Sequence, residues 1–266
     1  MKNSLFLNIL LLTILSVLFA CKKETDPTIP PPYYPPNDTT LHTAKPLQIV
    51  LDVPNASVVY NAWGKLIALK SDSSYINSHG DTVHTGGQYA TAFFTDSSTT
   101  QSLYGGAVTI NGTNIYNTLQ NNYRGSTSAL DAGCAWVVVG STLVPAMSYV
   151  YTGSFPQFTG NIPYAVTKNN GVSLTFNSST LSNTDSVYVV ISSSDANNVA
   201  SYYTKIFAAN AGTVLITGSD FNFLPANSNG NAHILLVPFQ VSPQAFGDKK
   251  YVFVKQAEIA HTITLQ

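Results

Sequence analysis

From residue 47 to the C-terminus the chain is patterned with a period of two, and that pattern restricts it to β structure. Leu47, Ile49, Leu51 and Val53 alternate with polar or neutral neighbours, and Val172, Leu174 and Phe176 alternate with Ser173, Thr175 and Asn177. Successive side chains of a strand point to opposite faces, so this alternation describes strands buried on one face. The runs 187–191, 234–237 and 251–254 are apolar at every position, which suits strands inside a sheet that is covered on both faces. A helical reading has little to stand on. Only 9% of residues are charged, Glu occurs only at 24 and 258, Arg occurs only at 124, and β-branched and aromatic residues take the place of helix formers.

Clusters of Gly, Asn, Ser and Asp divide the pattern into two β-rich stretches, 47–144 and 145–266. The expected fold class is therefore all-β, with two β-sandwich units. In the first, strands are expected near 47–53, 57–60, 66–69, 89–95, 107–111 and 135–139, and the long connections 71–87 and 117–132 have the length of functional loops. The second has six or seven short strands, the number an immunoglobulin-like or fibronectin-III-like sandwich needs. Its stretch GTVLITGSDFNFLPANSNG followed by HILLVPFQV resembles the late strands of bacterial Ig-like modules. The Cys and Trp pair of antibody domains is absent from this half.

The N-terminus carries an address. Lys2 gives a basic start, the apolar run from Leu5 to Leu18 is too short to span a bilayer, and small Ala20 precedes Cys21. Leu18, Phe19, Ala20 and Cys21 resemble the lipobox of bacterial lipoproteins. That resemblance implies that residues 1–20 are a signal peptide, that Cys21 is acylated, and that the mature protein is anchored by lipid, an attachment that two acyl chains make effectively permanent. Lys22 follows the cysteine where an inner-membrane retention signal would place Asp, which points to the outer membrane. The run 22–26, KKETD, is similar to the export tags of Bacteroidota surface lipoproteins, so the chain is expected to be surface-exposed or periplasm-facing. Residues 21–46 then form a linker with prolines at 27, 30, 31, 32, 35 and 36, a semi-rigid spacer that holds the globular part away from the headgroups.

Charge and motif content narrow the function. The 12 basic and 13 acidic residues create no basic field for a polyanion, so nucleic acid is not an expected partner. With Cys21 committed to lipid, Cys134 has no partner for a disulfide, and its place beside Ala135, Trp136 and Val137 makes it a small buried hydrophobe. The chain has no Gly-x-Ser-x-Gly elbow, no His-Glu-x-x-His pair and no phosphate-binding glycine loop. Asp72, Asp81, Asp96, Asp131, Asp195 and Asp220 lie in turn-forming surroundings where spacing selects no catalytic pair. A non-catalytic protein without a cofactor is expected, binding envelope proteins or, alternatively, glycans.

Two groups stand out as binding candidates. Asn122, Tyr123 and Arg124 form a compact polar and aromatic segment, and Trp63 and Tyr75 are further rings in polar contexts, the residue types that stack on sugars. The segment SHGDTVHTGG carries His79, Asp81 and His84, good ligands for zinc, copper or nickel if a bend brings them together. The same residues equally make an ordinary polar hairpin tip. His261, in phase with Ile259 and Ile263, is expected on the inward row of the last strand.

Overall fold

The alternation resolves into strands, and the fold is all-β. The computed structural model describes residues 62–76, 82–96, 101–117, 121–197 and 199–266. The signal segment, Cys21, the linker 21–46 and the strands expected at 47–53 and 57–60 lie outside those residues. In the first half the elements are β1 (Gly64–Ile76), β2 (Thr82–Thr95), β3 (Ser102–Leu103), β4 (Val108–Ile110), β5 (Thr113–Asn117), β6 (Asn122–Ser126), β7 (Cys134–Val138) and β8 (Met147–Tyr151). The second half adds β9 (Gln157–Phe158), β10 (Ala165–Val166), β11 (Val172–Phe176), β12 (Leu181–Ser182), β13 (Ser186–Ser194), β14 (Ala200–Ala208) and β15 (Gly212–Ile216). A one-turn helix α1 (Gly218–Phe221) and the long strands β16 (Asn227–Phe246) and β17 (Lys249–Leu265) complete it.

One sheet runs through both halves in the order β14-β13-β16-β17-β1-β2-β6-β5-β4-β7-β8, with β3 beside β2 and β10 beside β17. Its first half rolls over on itself. Leu66 of β1, Ala92 of β2 and Tyr251 of β17 share a core with Ile110 of β4, Trp136 of β7 and Met147 of β8. The edge strand β8 comes to lie over β16 and β17 without pairing to them. There the Tyr149 ring rests 4.4 Å from that of Phe253, and its hydroxyl shares a 2.7 Å hydrogen bond with Ser242. The roll thus stays open. The hairpin from β4 to β5 turns through Asn111-Gly112, with φ of 48° and 76°, the left-handed pair that matches the twist of two-residue hairpins. Asn111 also donates to the carbonyls of Ala129 (3.2 Å) and Gly133 (2.9 Å) and accepts from the Ala135 amide (2.8 Å), fixing the neighbouring loop.

In the second half the antiparallel pair β11-β15 packs across the same sheet. Leu174, Phe176, Val214 and Ile216 meet Val189, Ile191, Ile234, Leu236 and Ile263 in a second core. β11 alternates buried and exposed positions without exception, as its sequence predicts. The runs 187–191, 234–237 and 251–254 fall in β13, β16 and β17, inside the sheet. Their alternate residues, Tyr188, Val190, Leu235, Val237, Val252 and Val254, form a third apolar cluster with Ile67 on the opposite face. Strands apolar on both faces are therefore buried on both.

The boundary expected at 144/145 is crossed by hydrogen bonds. β8 pairs with β7 from Cys134–Tyr151 to Val138–Met147, and β17 pairs in parallel with β1 from Gly64–Tyr251 to Ser74–His261. Phe253 belongs to the first core and Ile263 to the second, so a single long strand serves both. All described residues fall in one compact unit. The expected loops are shorter than the sequence suggested, because most of 71–87 belongs to β1 and β2, and 117–132 contains β6.

Candidate functional site

At one end of the first core five segments are tied into a tip. The Trp63 amide donates to the Lys250 carbonyl (2.7 Å) and the Thr95 amide donates to the Trp63 carbonyl (2.9 Å). Lys249 Nζ donates to the Leu143 carbonyl at 2.6 Å and sits 4.1 Å from the centre of the Trp63 ring. Ser141 Oγ donates to the Tyr104 carbonyl at 2.6 Å, and the Gly140 amide donates to Gly105 at 3.0 Å. Gly106 and Gly140, at φ of 76° and 89°, allow these loops to meet, because a Cβ on either would strike backbone atoms. The tip holds apolar surface in water: Tyr104 is 54% exposed, Leu143 56% and Val139 62%. Tyr104 lies at 26° to the buried Tyr123 ring, with centroids 6.5 Å apart. The result is a braced rim of one aromatic and two aliphatic side chains, with Trp63 and a lysine beside them.

The expected binding segment Asn122-Tyr123-Arg124 is no tip. It lies in β6, inside the sheet between β2 and β5. Tyr123 is 1% exposed, packs edge-on against Phe94 at 5.7 Å, and its hydroxyl accepts the Gly105 amide at 2.9 Å. Its ring is core, and it supports the tip from beneath. Arg124 is opposite Thr91 and Tyr116 on the other face. The physical cause is again alternation: in Asn122-Tyr123-Arg124 the central residue points in and its neighbours point out. Trp63 does reach the tip, with one ring face taken by Lys249. Tyr75 stands on β1 opposite Val83, with its side chain outside the described set. Tyr104, another ring in a polar sequence context, gains its prominence from exposure at the loop end.

His79 and Asp81 lie outside the described residues, whereas His84 is on β2 and exposed. The strand register places it in a polar row. Ser74 of β1 is opposite His84 on one side and His261 of β17 on the other. Asp72, on the same face of β1, has its Oδ1 3.6 Å from His84 Nδ1. Here β17 changes partner from β1 to β10, and the Tyr164 ring that precedes β10 lies 5.5 Å from His261. Burial pulls the His261 pKa below its ordinary value. Among the described residues, no group of three His, Cys, Asp or Glu side chains converges closely enough to hold a metal ion.

Buried ionisable groups lie deeper. Glu258 is 7% exposed. Burial pushes its carboxyl up to about 7, against the opposing effects of a hydrogen bond from Gln256 and the charge of Arg124. Lys255 is fully buried beside the first core. Its ammonium donates to the carbonyls of Thr152 (2.7 Å) and Gly153 (2.6 Å) and faces the Tyr151 ring at 4.3 Å, so carbonyls and a ring take the part of a carboxylate. Burial raises the Cys134 thiol to about 11, the condition of an inert core thiol. Near β10 an open depression of about 330 Å³ is lined by Asn161, Thr167, Asn170 and Ser173. None of these arrangements sets a nucleophile against a base. Comparison with protein-family models, with curated proteins and with solved structures gave no match.

Proposed function

We propose that this chain is an exported lipoprotein, acylated at Cys21 and held at the outer membrane, which acts without catalysis as an interaction module for envelope proteins. The observation that carries the reading is the tip: Tyr104, Val139 and Leu143 stay more than half exposed on loops braced by hydrogen bonds and by Lys249 over Trp63. Apolar side chains held rigidly in water are what an interface anchor requires, because little ordering entropy remains to be lost on binding. The lipobox supports the address, and the Ig-like pattern of the second half agrees with a binding role.

The test is crosslinking in intact cells at native abundance. Wild type should yield defined adducts, and Val139→Asp with Leu143→Asp should lose them while the protein remains folded. Recovery of no adduct from wild type would sink the reading. Tyr104 also favours a second reading, a glycan-binding surface lipoprotein, since one side of its ring lies towards Tyr123 and more than half its surface is open. That reading expects retardation by a polysaccharide in a native gel, abolished by Tyr104→Ala. Protease shaving of intact and lysed cells, followed with a C-terminal tag, separates a surface-facing tip from a periplasm-facing one.

A further inference from the structure

The polar row at the end of β1 has a ligand chemistry independent of the tip. His84 and His261 stand on the strands flanking Ser74, all three in one register row. Partners across a ladder share a face, and neighbouring strands lie about 4.8 Å apart, so the backbones of the two histidines lie about 10 Å apart with one serine between them. An ion about 2.0–2.1 Å from a nitrogen of each ring requires the two imidazoles to lean towards each other until those nitrogens are about 4 Å apart. Asp72 faces Nδ1 of His84 at 3.6 Å, the position from which a carboxylate fixes the ring of a metal-ligating histidine and leaves Nε2 for the metal. Ser74 Oγ and His261 Nδ1 are both buried, and neither has a hydrogen-bond partner among the described residues. These two atoms belong to residues directly opposite each other on neighbouring strands, and buried polar atoms of this kind ordinarily have a partner.

We propose that His84 and His261 together bind a divalent transition-metal ion, zinc or copper(II), across Ser74, with Asp72 orienting His84 and water completing the coordination. Imidazole suits these metals. The partner of His84 is thus a residue of the last strand. The sequence had grouped it with His79 and Asp81 along its own hairpin.

The full-length chain, purified in detergent, is titrated with Cu²⁺ and with Zn²⁺. One equivalent should bind, and the copper spectrum should show coupling to two nitrogens. His84→Ala and His261→Gln should each abolish stoichiometric binding, Asp72→Asn should weaken it about 10- to 100-fold, and His79→Ala should leave it unchanged. His84 is exposed near the start of its strand, so its variant keeps the fold whether or not His261→Gln does. Absence of saturable binding, a one-nitrogen spectrum, or binding that depends on His79 and survives loss of His84 would each overturn the proposal.

Discussion

Glu258 offers a quantitative test of how the sheet is buried. Its carboxyl is held up to about 7, against 4.5 for the exposed group. Between those values the unfolded chain has released the proton that the folded chain retains, so the unfolded state binds fewer protons and stability falls as pH rises. Each pH unit across that window is worth ~1.36 kcal/mol, so burying this one group costs about 3 kcal/mol once the pH exceeds 7. Glu258→Gln keeps the shape and removes the charge, and the new amide can donate to Gln256 Oε1, which has no partner among the described residues. The advantage of the variant should therefore grow by about 2 to 3 kcal/mol between pH 5 and pH 8. For a domain of this size that is roughly 5–10 °C in melting temperature. His233 and His261, whose pKa values burial lowers, make both proteins less stable as pH falls below 6.5. That contribution cancels in the difference, which thermal melts of the two proteins across the range measure directly. A melting-temperature gap independent of pH would show that Glu258 is solvated and the reasoning wrong.

Trp136 fills the first core, and its indole N–H is buried without an acceptor among the described residues. Trp136→Ala should cost about 3–5 kcal/mol in urea unfolding, whereas Trp136→Phe, which also removes an unsatisfied donor, should cost about 1 kcal/mol or less. Cys134 should resist maleimide at pH 8 in a chain carrying Cys21→Ser and react fully in guanidinium, because the native thiol is both buried and raised to about 11. Fast native labelling would contradict its place in the core.

Local patterning made much of the fold legible. The alternating residues of β11 and the doubly apolar runs of β13, β16 and β17 fall where the sequence predicts, because a strand's side-chain period depends only on its own residues. Cys134 was readable as a core residue for the same reason. The candidate sites were far less legible. Tyr123 has the composition of a binding loop, yet a polar neighbour on each side is also what a half-buried strand needs, and pairing with β2 and β5 decided between the two.

The sequence by itself therefore determined the class of structure and which faces of its strands are apolar. Tertiary structure decided which strands meet. The parallel pairing of β1 with β17 joins the first described strand to the last, and it sets His84 in line with His261 across Ser74 and brings Glu258 within the influence of Arg124. Parallel strands share no turn, so no short-range signal encodes their register. It is fixed only when both apolar faces of the central sheet are buried together, since a slip of one residue would turn each of those faces the wrong way.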